Sequence, residues 1–289
     1  MKLHPMEVVP NGVSVHTVHS TRDGQDTARR DFVAQEVPVA LVFNGISHAV
    51  MMASPCDLED FALGFGLTEG LLTSQGDLYD IEEHQVAEGI EIHLRVSSEC
   101  AWRLKERRRT LAGRTGCGLC GTDSLSQVHR EIPAVQTVQL LATAVARAEQ
   151  QLRDWQHMQQ LTGATHAAAW VSLAGSILRV REDVGRHNAL DKLIGSLTRS
   201  GANASDGFIC ITSRASFEMV QKAVAFGAGV LAAVSAPTAL AIEVANASNL
   251  ALAGYVRNNH LVAYSFPERF VRDGNTPAHS TENTWTSTT

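Results

Sequence analysis

The 289-residue chain is notable first for what it lacks. Its opening stretch, MKLHPMEVVPNG, has no apolar h-region, so no signal peptide is expected. It has only five cysteines, in no regular framework, which argues against a disulfide-stapled secreted domain and for a reducing cytoplasm. There is no excess of positive charge: the net charge of -6 gives no global attraction to nucleic acid or to an anionic membrane, so any basic surface is local. No internal repeat is visible. Nor is there a clean membrane-length run. Ala223 to Ile242 carries no charge, but it is rich in Ala and Gly and is interrupted by Ser235 and Pro237. It reads as a helix end, a buried strand and a new helix start. What is present is a 44% hydrophobic fraction, enough for a sizeable core and too much for a disordered chain.

The patterning divides the chain. Residues 1–30 are polar and irregular and are expected to be poorly ordered. In 31–112, VPVALVFNGISHAVMMAS predicts two strands turning at Asn44-Gly45. CDLEDFALGFGLTEGLL predicts a helix with Leu58, Phe61, Ala62 and Phe65 on one face and Asp57 as its N-cap. GIEIHLRV alternates as a half-buried strand. These segments predict a small α+β domain. A glycine-rich cysteine segment, 113–128, is expected to be mobile. From 129 to 272, VQLLATAVARAEQQLRDWQ is an amphipathic helix ending before Gly163. Then HAAAWVSL and SILRVRED form a hairpin at Ala174-Gly175. The strands GFICITS and VLAAVS alternate with helices, and LALAGYV and HLVAYSF close around Asn258-Asn259. Buried strands between helices predict a layered α/β domain. The Ser/Thr/Asn-rich tail, 273–289, is expected to be disordered.

The chemistry-bearing segment is GRTGCGLCGTDSL, with Cys117 and Cys120 among Gly116, Gly118 and Gly121 and the basic run Lys105–Arg109 upstream. Three uses of the thiols stand open. Structural zinc needs four ligands, and no second pair accompanies this one; Cys100, His129 and Cys210 have no motif spacing. A redox dithiol is compatible with the pair, although the glycines favour a loop over a helix start. A sulfur or acyl carrier needs an exposed thiolate that can swing, which glycines permit and nearby cations favour. The basic run read alone is a solvated face. The site residues argue against a zinc deaminase: His166-Ala167-Ala168 has Ala where the proton-shuttling Glu would stand, the C-x-x-C precedes that histidine, and no proline stands before Cys117.

Elsewhere, DVGRHNALDK sets Arg186, His187, Asp191 and Lys192 around a helix start, which suits either phosphate or a capped surface helix with an internal ion pair. Ser213-Arg214 and Ser235/Thr238 follow buried strands, which suits either ligand contact or helix capping. His166 reads as a satisfied core or edge histidine.

RTGCGLCGTDSL resembles the cysteine loop of the formate dehydrogenase accessory sulfurtransferase family (FdhD). EDVGRHNALDKLIG, TSRASFEMVQKA, SAPTALAIEVA and YVRNNHLVAYSFPER agree with it, so the resemblance spans roughly residues 30 to 270. It implies a cytoplasmic homodimer with a small N-terminal α+β domain and a layered α/β/α domain of cytidine deaminase-like topology. It implies transfer of persulfide sulfur from a cysteine desulfurase to the molybdenum bis(molybdopterin guanine dinucleotide) cofactor of the formate dehydrogenase catalytic subunit, with no nucleic-acid or membrane partner. Carried over, Cys117 bears the persulfide and Cys120 accepts or helps release the sulfur. Tyr255, Val256, Arg257, Asn258, Asn259 and His260 meet the cofactor, with Asn258, Asn259 and His260 departing from the expected Gly or charged residues and Arg. Arg186 and Arg214 are expected to face its phosphates.

Overall fold

The structure, a computed structural model, describes residues 9–111 and 133–272, with the backbone alone for 105–111. Cys117, Cys120 and the tail after 272 lie outside the described residues.

The first strands overturn an expectation. Residues 9–30 are not irregular: β1 (Val13–Arg22) and β2 (Gln25–Ala34) form an antiparallel ribbon in continuous register from Val13↔Ala34 to Arg22↔Gln25. The turn residues Asp23 and Gly24 both have positive φ, the geometry of a tight two-residue hairpin. Only the base of the ribbon is covered, where β2 meets the helix His157–Thr162; Gln25–Arg30 are exposed on both faces, so no alternation marks the strands.

The small unit follows. β3 (Val37–Phe43) and β4 (Ile46–Ala53) turn at Asn44-Gly45, both at positive φ, as predicted. α1 (Leu58–Thr68) packs on them. Asp57 does not cap α1: it sits at φ 51 without a capping bond, and its carboxylate lies 3.5 Å from Arg181 instead. β5 (Leu78–Val86) and β6 (Gly89–Val96) complete a sheet of order β4-β3-β6-β5, with Ile90, Ile92, Leu94 and Val96 buried on its core face. α2 (Ser98–Leu111) runs through the whole basic run Lys105–Arg109.

The second unit is a six-stranded sheet whose strands lie in the order 260–263, 251–257, 230–233, 207–211, 166–172 and 177–183. After the two-residue β7 (Leu140–Leu141) come α3 (Ala142–Trp155) and a short α4 (His157–Thr162). β8 (His166–Ser172) and β9 (Ile177–Asp183) form the predicted hairpin, with Gly175 at φ 86. α5 (Arg186–Arg199), β10 (Gly207–Ile211), α6 (Phe217–Phe226), β11 (Val230–Ala233), α7 (Ala239–Ala247), β12 (Ala251–Arg257) and β13 (His260–Ala263) follow, and β14 (Phe270–Val271) pairs with β7. β10, β11 and β12 are parallel. β10 and β11 are buried throughout because both faces are covered. Ile209, Ile211, Leu231 and Ala233 face α5, α6 and α7, while Phe208, Cys210, Val230 and Ala232 face α3. This two-sided burial makes the strands read as apolar runs rather than alternating ones. The uncharged stretch 223–242 resolves into the end of α6, β11 and the start of α7. No helix among the described residues is long and apolar enough to cross a membrane.

The units meet where α1 crosses α5. A Cβ on Gly64 would lie 1.8 Å from the Asp191 carbonyl oxygen, and one on Gly195 would lie 1.9 Å from that of Asp60. Neither glycine is needed for its dihedrals; each is needed so that two backbones can touch. Gly195→Ala is expected to lower stability by about 1–3 kcal/mol, since the opposing atom is backbone and cannot rotate aside. The urea midpoint measures this, with Gly76→Ala as control, because a Cβ there meets only Ser74 Oγ at 3.4 Å. Equal midpoints for the two variants would mean that the helices separate freely.

Candidate functional site

β10, β11 and β12 end at one edge, and the segments singled out in the sequence gather there. Thr212, Ser213 and Arg214 follow β10, Val234 and Ser235 follow β11, and Tyr255–Arg257 end β12. The edge is tied together by backbone bonds: Ala215 N–H donates to Ala236 O at 3.2 Å, Thr238 N–H to Ala215 O at 3.0 Å, and Tyr255 N–H to Ser235 O at 3.2 Å. Gly254 permits this approach, since a Cβ there would sit 2.9 Å from Pro237 Cδ. Thr238 caps α7 by accepting from Ala241 N–H at 3.3 Å.

The capping expected at α6 is absent. Ser216 occupies the N-cap position, yet its buried Oγ has no hydrogen-bond partner among the described residues, and Ser213 Oγ donates to Arg214 O. Beside it, α5 begins at Arg186, whose buried Nε is likewise unpartnered among the described residues. His187 Nε2 meets Glu218 Oε2 at 2.8 Å and brackets the first turns of the two helices. That hydrogen bond holds the Glu218 carboxyl below the usual glutamate range against the opposing effect of burial. Two helix N-termini, an orphaned guanidinium nitrogen and an orphaned hydroxyl make an anion-suited corner, with exposed Arg214 nearby in sequence.

The Tyr255–His260 segment divides. Tyr255, Arg257, Asn258, Asn259 and His260 are exposed, but Val256 is wholly buried in the core under α3, so its side chain packs and is not a contact. Asn258 and Asn259 have φ 51 and 61 and make a two-residue turn between paired Arg257 and His260. Asparagine tolerates this left-handed geometry, which explains its presence where Gly is the simpler choice. Gln150 Nε2 donates to Asn259 Oδ1 at 2.9 Å and pins the turn to α3. Arg186 thus lies at the start of α5, while Tyr255–His260 leans on the helix covering the other face of the sheet.

On that α3 side the edge opens into a cleft of about 730 Å³, lined among others by Glu149, Arg153, Gln156, His166, Thr212 and Val234. Sequence reading missed it, taking His166 as a satisfied core or edge histidine. The available signal was Glu149, which shares the buried stripe of α3 with Val145, Ala148 and Leu152. His166 is half-buried; burial first, and then the charge of Arg186, lower its pKa, so the ring is neutral near pH 7.

Asp191 and Lys192 correct a second reading. They form no internal surface pair; both are buried and each finds its partner elsewhere. Lys192 pairs with Asp183 at 2.7 Å, and Lys222 of α6 pairs with Asp191 at 2.9 Å. Cys100 and Cys210 lie in separate cores, the first donating to Leu71 O at 3.1 Å and the second with its thiol pushed up to about 12 by burial.

A sheet covered on both faces, with ligand-suited groups at the carboxyl ends of its parallel strands, defines the class: a layered α/β protein whose charged and polar loop residues gather at the strand ends. The FdhD/NarQ family model matches residues 34–271. The sulfur carrier protein FdhD of Variovorax paradoxus (strain S110) is 54% identical over 270 residues, covering 93% of this chain and 97% of that protein. Its counterpart in Bordetella petrii is 55% identical over 240 residues, 83% of this chain and 86% of the relative. A crystal structure described as a formate dehydrogenase accessory protein, from Desulfotalea psychrophila, superposes with a TM-score of 0.73 at 21% identity, over 90% of this chain and 100% of the other. The chain belongs to the FdhD/NarQ family.

Proposed function

We propose that this protein carries sulfur for the maturation of formate dehydrogenase. Cys117 thiolate attacks the outer sulfur of a cysteine desulfurase persulfide; that S–S bond breaks, a new one forms on Cys117, and the desulfurase cysteine leaves as thiolate, with no net oxidation. For delivery, Cys120 thiolate attacks Cys117 Sγ. The terminal sulfur departs as sulfide toward the molybdenum bis(molybdopterin guanine dinucleotide) substrate, and a Cys117–Cys120 disulfide remains for a dithiol reductant to reopen. The thiolates need no strong general base, since attack is governed by pKa and access.

The observation that supports this most is the 54% identity, over 93% of the chain, to a protein named as a sulfur carrier, in a sequence that has the Cys117/Cys120 pair. The substrate's phosphates suit the corner where Arg186 Nε and Ser216 Oγ lie buried without partners, with Arg214 adjoining. The exposed turn residues Tyr255, Arg257, Asn258, Asn259 and His260 line the same edge. On this reading the working form is a cytoplasmic homodimer that meets the desulfurase and the formate dehydrogenase catalytic subunit in turn.

Intact mass after incubation with a cysteine desulfurase and cysteine tests it. A gain of one sulfur atom is expected in the wild type and in Cys120→Ala, and none in Cys117→Ala. A wild-type mass that is unchanged, or reduced by two hydrogens, would replace the carrier with a chaperone or a dithiol oxidoreductase.

A further inference from the structure

Helix α2 has an aromatic and basic face turned from the core of the small unit. Its inner side is fixed: Cys100 and Leu104 are buried in that core, and Cys100 Sγ donates to Leu71 O at 3.1 Å. Arg103 pins the helix from the flank, with Nη2 donating to Asp77 at 3.1 Å and Nη1 to Glu99 at 2.9 Å. Trp102 stands on the opposite side and is 63% exposed. The α2 backbone continues to Leu111. Its period sets Lys105 and Arg109 on the face of Trp102, three and seven positions on, while Leu111 returns to the face of Leu104. Tyr79, 62% exposed, follows two residues after Asp77. The Arg103–Asp77 pair therefore brings the two most exposed large apolar side chains among the described residues into one neighbourhood.

Single apolar side chains on a surface are ordinary, and cations in the last turns of a helix complement its dipole. Neither accounts for the combination. Four of the five residues Lys105–Arg109 are basic in a chain of net charge -6, and they join two exposed aromatics. Trp, Tyr and Arg carry much of the binding energy at protein interfaces, and charge selects a partner of opposite sign. Position then selects among partners. Cys117 follows Leu111 by six residues, at most about 22 Å of extended chain, so a protein seated on α2 stands within reach of that thiol. The acceptor's phosphates, on the reading above, belong to the strand-end edge of the other unit, which leaves the helix of the small unit for the donor. We propose that the α2 face bearing Trp102, Lys105 and Arg109 is the docking surface for the protein that donates the persulfide sulfur, which meets it with an acidic surface. The inference rests on the sulfur-carrier reading and adds to it where the donor binds.

Loading of the full-length chain from two donors tests this, read as the rate at which intact mass gains one sulfur atom. One donor is a cysteine desulfurase with cysteine. The other is glutathione persulfide, from which Cys117 thiolate takes the outer sulfur while glutathione leaves as thiolate, with no protein to dock. The double variant Lys105→Glu with Arg109→Glu, and separately Trp102→Ala, are expected to load about 10-fold or more slowly from the desulfurase held below saturation. From glutathione persulfide both are expected to load within about 2-fold of the wild type, since no interface is used. Added salt is expected to slow the desulfurase reaction of the wild type and to leave that of the double variant nearly unchanged. Unchanged loading from the desulfurase would make the face a solvated one and overturn the proposal. An equal loss with both donors would overturn it too, placing the effect on the thiolate and not on docking. A wild type that loads from glutathione persulfide but not from the desulfurase would remove the docking surface and keep the carrier. Loading from neither would remove the carrier reading and the docking surface with it.

Discussion

Lys222→Met is expected to destabilise the fold by about 3–5 kcal/mol, the usual cost of deleting one partner from a buried ion pair. Lys222 sits in α6, yet its ammonium reaches Asp191 of α5 at 2.9 and 3.0 Å, Thr68 Oγ1 at the end of α1 at 3.0 Å, and Glu69 at 2.8 Å. Thr68 Oγ1 in turn donates to Asp191 at 2.7 Å. Burial alone would discharge the lysine, but Asp191 and Glu69 outweigh it and raise the Lys222 pKa, so the charged form is the native one. Removing the ammonium leaves Asp191, only 1% exposed and with its own pKa already pushed up by burial, to take a proton or lose solvation uncompensated. The unfolding free energy from urea titration reads the loss. The double variant Asp191→Leu with Lys222→Met is expected to recover part of it, since an apolar pair of similar volume avoids the stranded charge. A single-variant loss below about 1 kcal/mol would place the cluster with exposed pairs, which contribute little.

This network shows where sequence reading reaches its limit. The parallel strands were legible because burial on both faces makes apolar runs such as GFICI and VLAA, and the helices between them because apolar residues recur at helical spacing. The uncharged stretch 223–242 was legible for the same reason, through its Pro and Ser breaks. Lysine in a helix ordinarily reads as exposed; Lys222 is buried only because Thr68, Glu69 and Asp191 come from distant segments to meet it. The ribbon of β1 and β2 had a turn signal in Asp23-Gly24 but no hydrophobic period, since most of its ladder stands exposed beyond a partly covered base. Asp57 had the residue type and position of a cap, and the nearby Arg181 took its carboxylate. At the site, the strand-end segments and arginines were legible as motifs. The cleft was not, because its lining comes from segments distant in sequence: Glu149 and Gln156 meet His166, Thr212 and Val234 only in the folded chain.

Asp183→Ala is expected to cost about 3–5 kcal/mol as well, and to disturb the edge that Lys222→Met leaves in place. Asp183 ends β9 wholly buried, and four donors converge on its carboxylate. Ser54 N–H reaches it at 3.0 Å, Lys192 Nζ at 2.7 Å, Gly185 N–H at 2.7 Å and Asn188 Nδ2 at 3.0 Å. One oxygen therefore joins the small unit to α5 through Ser54 and Lys192, while the other shapes the first turn of α5 through Gly185 and Asn188. Truncation leaves Lys192, 0% exposed, with the Ser54 carbonyl at 3.0 Å and the Cys56 thiol at 3.7 Å but no counter-charge. It also frees the Gly185 N–H just before Arg186, whose orientation sets the anion-suited corner. Lys192→Met creates the opposite imbalance, leaving the buried Asp183 carboxylate without its cation, but spares the bonds to Gly185 and Asn188. The two variants should therefore lose similar unfolding free energy in urea, while hydrogen exchange at residues 185–189 should rise above the global level in Asp183→Ala only. Equal exchange in both would mean that the α5 start is held by its helix and not by the carboxylate. In that case the orphaned Arg186 Nε would owe its position to the α5 backbone alone.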